Sequence, residues 1–161
     1  MQSFNINLLG DAGVGKTSLI RRITVNTFVP RYISSVGYNI STVVVNTNYG
    51  PVTLNLHDYA GQEKYSDAYN VHKSDASILM FDLANNISHN NLKFWYSKCD
   101  TSSVFVIGNK CDIREIKVVP TFHEKHTLQY LAVSAKKMSI NALLTPILRR
   151  LLNHDDLVIT A

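Results

Sequence analysis

The run Gly10-Asp11-Ala12-Gly13-Val14-Gly15-Lys16-Thr17 constrains this chain more than any other segment of its length. It fits the spacing G-x-x-x-x-G-K-[ST], and its flanks fit the mechanism which that spacing serves. Upstream, Phe4, Ile6 and Leu8 alternate with Ser3, Asn5 and Asn7, the period of a strand. Downstream, Leu19, Ile20 and Ile23 share one helical face, with Arg21 and Arg22 turned away. A glycine-rich turn between strand and helix lets main-chain N–H groups converge on phosphate oxygens, with the positive end of the helix dipole behind them. In such a cradle, formed by Asp11, Ala12, Gly13, Val14, Gly15 and Ser18, Lys16 reaches the β and γ phosphates and the Thr17 hydroxyl coordinates magnesium. A chance glycine-rich turn has the composition but not the context. The motif alone does not separate ATP from GTP.

Two further motifs sit at strand ends. Asp58-Tyr59-Ala60-Gly61-Gln62 follows alternating Val52, Leu54 and Leu56, so Asp58 stands beside the cradle and can hold magnesium through water. The Gly61 amide can contact a γ-phosphate, and Gln62 has the amide needed to orient an attacking water. Asn109-Lys110-Cys111-Asp112 ends an apolar run, and its selective element is Asp112. A carboxylate accepts two hydrogen bonds from the ring NH and exocyclic amine of guanine, whereas adenine offers no such donor pair and leaves the carboxylate unpaired. Ser134-Ala135-Lys136 adds contacts to a base, although alone it is weak evidence. Each of these is a polar turn when read in isolation; after a phosphate cradle the functional reading prevails.

The remaining pattern builds a frame for these motifs. Asn39 to Val45 and Val52 to Leu56 form a hairpin about the turn Asn46 to Pro51. Ser77 to Leu83 and Ser103 to Asn109 are apolar runs typical of strands buried on both faces, and Leu128 to Val133 is one more strand. Phe28 to Val36 reads as an exposed loop, and Ser88 as the cap of a helix ending near Cys99. Leu143, Leu144, Ile147, Leu148, Leu151 and Leu152 define a last helix, whose first turns Pro146 should distort. Strands alternating with helices predict an α/β fold of the P-loop NTPase type, a mostly parallel six-stranded sheet with helices on both faces, formed by residues 1–161 as one domain.

Composition excludes several other classes. The net charge of +4 is spread thinly and no basic tract exists, which disfavours direct nucleic-acid binding. No apolar run approaches the roughly 20 residues that span a bilayer. Cys99 and Cys111 are too few for a disulfide framework or a four-cysteine zinc site, so a reducing compartment is expected. The six histidines show no metal-ligand spacing.

These motifs, in this order, resemble the Ras-superfamily small GTPases over nearly the whole chain, most nearly the Ran subfamily. The Ran likeness lies in Phe28 with Arg31 to Gly37, in Asn46 to Pro51, in Gly61-Gln62-Glu63-Lys64-Tyr65, and in Phe122 to Tyr130 followed by Ser134-Ala135-Lys136. The resemblance implies a G domain that binds GTP or GDP with Mg2+. It implies that Phe28 packs on guanine and that Ser35 takes the place of a Thr contacting magnesium and the γ-phosphate. Residues 31–37 and 60–70 become the two switches, with Tyr32 helping to arrange the catalytic Gln62. The implied partners are importin-β-type transport receptors, a Ran-type activating protein and an exchange factor. A monomer moving between nucleus and cytoplasm, without a membrane anchor, is expected; no prenylation Cys closes the sequence.

Departures from the family pattern leave two readings open. Ala12 replaces a Gly beside the γ-phosphate, Tyr59 replaces the usual Thr of the second switch, and the sequence stops about where Ran continues into a linker, helix and acidic tail. One reading is a GTP-hydrolysing switch; the other is a hydrolysis-impaired GTP-binding mimic of Ran that occupies transport factors.

Overall fold

The computed structural model describes residues 1–25, 28–35, 38–59, 72–112 and 115–161; for 28–35 and 38 it describes the backbone alone. The elements in chain order are β1 (Gln2–Leu9), α1 (Lys16–Val25), β2 (Phe28–Ser35), β3 (Tyr38–Thr47), β4 (Gly50–Tyr59), β5 (Ala76–Asp82), α2 (Asn86–Asn90), α3 (Leu92–Ser97), β6 (Val104–Asn109), α4 (Phe122–His126), β7 (Gln129–Ala132) and α5 (Ile140–Leu152). They form an α/β fold around one sheet of order β2-β3-β4-β1-β5-β6-β7. The pairs β1–β4, β1–β5, β5–β6 and β6–β7 are parallel, and β2–β3 and β3–β4 are antiparallel.

Period-two alternation explains how the central strands bury both faces. Ile6 and Leu8 of β1, Ile78 and Met80 of β5, and Phe105 and Ile107 of β6 join a core with Leu19 and Ile23 of α1 and Leu143, Leu144, Ile147 and Leu148 of α5. The intervening residues, Leu9, Leu79, Phe81, Val104 and Val106, pack on the other face with Leu92 and Trp95 of α3 and Phe122 of α4. Helices thus cover both faces, as sequence alternation requires of a parallel sheet.

Three expectations need correction. Phe28 to Ser35 is not a loop but β2, a seventh strand at the sheet edge, added to the six foreseen. Pro30 hides it in the sequence, yet a proline is tolerated on an edge strand, and the register shifts between Phe28 and Arg31, the interval that contains it. The helix foreseen from Ser88 to Cys99 is divided into α2 and α3. Its cap is Asn85, whose side chain accepts from the amides of Ile87 and Ser88, while buried Ser88 instead accepts from the Asp82 amide. Lastly, Pro146 lies in the middle of α5, which runs unbroken from Ile140 to Leu152. The four buried aliphatics Leu143, Leu144, Ile147 and Leu148 flank the proline on the core side and hold both halves against the sheet.

The segment after α5 returns to the β3–β4 turn. Ile159 pairs antiparallel with Thr47, Tyr49 donates from its hydroxyl to Asp156 Oδ1 at 2.5 Å, and the rings of Tyr49 and His154 stack with centroids 3.9 Å apart. Among the described residues, no helix is long and apolar enough to cross a membrane.

Candidate functional site

Parallel strands deliver their carboxyl ends to one rim, and in an open α/β sheet that rim is where ligands settle. Here it gathers the turn after β1, the end of β4, the turn after β6 and the turn after β7. The turn after β1 needs its glycines: Gly13 and Gly15 have φ of +81° and +105°, the left-handed region that favours glycine.

Lys16 opens α1 with its side chain folded back under the turn. It is 6% exposed, and its Nζ donates to the carbonyl of Gly10 at 2.8 Å and of Asp11 at 2.9 Å. Burial pulls its pKa down to about 8, against the opposing pull of the Asp58 and Asp11 carboxylates. Beside it, the Thr17 hydroxyl donates to Asp58 Oδ2 at 2.5 Å, and Asp58 is 8% exposed at the end of β4. A hydroxyl and a carboxylate oxygen in contact are hard donors suited to Mg2+, which keeps several waters and takes few protein ligands. Thr17 and Asp58 would hold such an ion, which would supply positive charge to offset that of bound phosphates.

The second half of the site hangs on Asn109, 2% exposed at the end of β6. Its Nδ2 donates to the Val14 carbonyl at 2.8 Å, and its Oδ1 accepts from the Ala135 amide at 3.2 Å. One side-chain amide therefore ties the turn after β1 to the turn after β7. Lys110, at φ +65°, adds a second tie: its Nζ reaches the Gly13 carbonyl at 3.1 Å and Asp82 Oδ2 at 2.7 Å. Between these turns opens a cleft of about 340 Å³ lined by Gly15, Ser18, Asn109, Lys110, Asp112, Ser134, Ala135 and Lys136. The Ser134 hydroxyl, then the residue's own amide and the Lys137 and Lys136 charges, hold the exposed Asp112 carboxyl below the usual carboxylate range. Asp112 thus offers the cleft a lasting acceptor of hydrogen bonds.

The structure therefore brings together the cradle residues, Thr17 with Asp58, and the loop of Asn109, Lys110 and Asp112 with Ser134, Ala135 and Lys136. Ala12 is exposed on the rim. Phe28, Tyr32 and Ser35 lie on β2, whose side chains are not described, and Gly61 and Gln62 lie outside the described residues. Tyr59 is 2% exposed in the core, and its hydroxyl accepts from the His72 amide at 2.8 Å, joining the residues on either side of 60–71. Sequence reasoning missed Asp82, which partners Lys110, although a carboxylate closing a buried strand on this rim is a legible signal. It also missed Asn91 and Trp95, which bond the Asp11 side chain; nothing in their spacing announces that contact.

A phosphate turn between β1 and α1, facing a polar cleft at the ends of β6 and β7, defines a P-loop nucleotide-binding protein. The model of the Ras family matches residues 5–153, and the chain belongs to the Ras family. Members of this family are GTP-binding switches and GTPases, and they bind GTP or GDP with Mg2+.

The depressed Lys16 pKa gives a pH prediction with two opposite signs. Between about 8 and 10.5 the unfolded chain holds more protons on this lysine than the ligand-free folded chain, so ligand-free stability should rise with pH across that window. Phosphate needs the charged form. Nucleotide affinity should therefore fall about tenfold from pH 7 to pH 9 as the ligand-free protein loses the proton. Equilibrium titration of a nucleotide alongside thermal unfolding at each pH checks both slopes; parallel slopes would refute the assignment.

Proposed function

We propose that this protein is a magnesium-dependent, GTP-hydrolysing switch resembling Ran, acting on importin-β-type transport receptors and regulated by a Ran-type activating protein and exchange factor. The observation that supports the nucleotide assignment is the cleft of Asp112, Ser134 and Lys136 joined through Asn109 to the phosphate turn. Asp112 accepts from the guanine ring NH and exocyclic amine, Lys16 meets the β and γ phosphates, and Thr17, Ser35 and Asp58 serve the magnesium ion. Gln62, aided by Tyr32, orients the attacking water, and Gly61 contacts the γ-phosphate. The receptor assignment is supported by the Ran-like stretches Phe122 to Tyr130 and Arg31 to Gly37. On this reading the chain works as a soluble monomer in nucleus and cytoplasm, with no nucleic-acid partner.

The direct test is to denature the purified protein, identify the nucleotide released, and pull down transport receptors with protein loaded with a non-hydrolysable GTP analogue. Release of no guanine nucleotide, with no measurable GTP affinity, defeats the reading. Asp112→Asn should cut GTP affinity at least about a hundredfold and favour xanthosine triphosphate, because the hydrogen-bonding demand of the base edge is reversed. Unchanged guanine preference in competition binding would remove Asp112 from its role.

A second reading is a hydrolysis-impaired GTP-binding mimic of Ran that sequesters transport factors. It is favoured by Tyr59, whose buried ring and bond to His72 lie on both sides of the segment containing Gln62. Single-turnover hydrolysis with and without a Ran-type activating protein separates the two, since stimulated turnover rules the mimic out.

A further inference from the structure

Asp11 places a carboxylate inside a turn suited to polyanions, and by itself that charge would oppose the ligand. Both of its oxygens are engaged on the side of helices α2 and α3. Oδ2 accepts from Asn91 Nδ2 at 2.6 Å, and Oδ1 accepts from the indole Nε1 of Trp95 at 2.9 Å. Asn91 sits at the junction where α2 ends and α3 begins, and Trp95 is fully buried in the core beneath. The same residue's carbonyl accepts from Lys16 Nζ at 2.9 Å, and the Asp11 carboxylate is near enough to act on that ammonium through space. Packing alone would be served at position 95 by any large ring. An indole N–H is a donor and nothing else, and here it is directed at a charge.

We propose that Asn91 and Trp95 are positioning residues that hold the Asp11 charge toward α2 and α3 and away from the terminal phosphate, thereby setting the ratio of triphosphate to diphosphate affinity. This rests on the reading of the site as a guanine-nucleotide seat. Among the described residues, these two donors disperse the carboxylate's charge and direct it toward α2 and α3. With one donor gone, the carboxylate gains freedom to face the ligand, and it repels the more highly charged triphosphate more strongly than the diphosphate.

The test compares full-length wild type, Trp95→Phe, Asn91→Ala, Asp11→Asn and the double variant Trp95→Phe/Asp11→Asn. Equilibrium affinities for GTP and GDP with Mg2+ are measured at low and high salt, with thermal unfolding in parallel. Trp95→Phe should lower GTP affinity about fivefold more than GDP affinity. That excess should shrink at high salt. Adding Asp11→Asn should return the ratio to near the wild-type value, because the charge at issue is gone. A role confined to packing would lower stability while leaving the ratio unmoved, and would make the double variant no better than Trp95→Phe; either result overturns the proposal. Should Trp95→Phe fail to fold, Asn91→Ala answers the same question, since it removes the other donor without touching the core. Wild type that binds neither nucleotide would overturn the seat itself, an outcome distinct from a wild type that binds both and variants with an unchanged ratio.

Discussion

Lys16→Met should reduce GTP affinity about a thousandfold while moving the unfolding midpoint of the ligand-free protein very little. Methionine forgoes about two charge-assisted hydrogen bonds to phosphate, each worth roughly 1.5–3 kcal/mol. In the ligand-free chain the ammonium is 6% exposed, and burial has already pulled its pKa down to about 8, so keeping it charged at neutral pH is a cost. Methionine removes that cost and fills a similar volume, but leaves the carbonyls of Gly10 and Asp11 without this donor. The two effects oppose each other. Titration with a fluorescent GTP analogue and a thermal melt of the same sample read both quantities; affinity within threefold of wild type would refute the role given to Lys16.

Gly15→Ala, by contrast, should lower the stability of the ligand-free protein, besides loosening the seat that Asn109 ties together. Gly15 has φ of +105°, and a Cβ there would lie 2.2 Å from Asn109 Nδ2. The backbone strain costs about 1–2 kcal/mol. Relief of the contact requires Asn109 to leave Val14, with the loss of a buried hydrogen bond costing about 1–3 kcal/mol. A total near 3 kcal/mol corresponds to a fall in Tm on the order of 10 °C for a chain of this size. Gly13→Ala is the control: its φ is +81°, but nothing lies within 4 Å of the added Cβ. It should therefore show the backbone strain alone. Equal losses for the two variants in denaturant melts would mean that the Asn109 contact contributes nothing.

The sequence discloses those parts of this fold in which a single physical requirement dictates residue type. Burial on both faces demands the apolar runs of β5 and β6, and convergence of amides on phosphate demands Gly10, Gly13 and Gly15 at fixed spacing. Both were legible. What stayed hidden depends on partners distant in the chain. β2 carries Pro30, a poor strand residue everywhere except an edge, and only pairing with β3 reveals that it is one. Asn85 and Ser88 are both good caps, and the choice falls to Asn85 because the Ser88 hydroxyl is taken by the end of β5. Trp95 is packed in the core, but the direction of its N–H is set by a residue 84 positions away. The Asn48-Tyr49 turn announces a hairpin without announcing that Tyr49 and Asn48 also hold the segment after α5 through Asp156 and Val158.

Because a single amide at Asn109 spans both halves of the rim, the floor beneath a ligand is assembled before anything arrives. Little ordering entropy is left to lose in that floor upon capture. Replacement of one nucleotide by another is then governed by how quickly the old one leaves. A factor that pries Asn109 from Val14 or Ala135 would loosen base and phosphates in one stroke, without touching either.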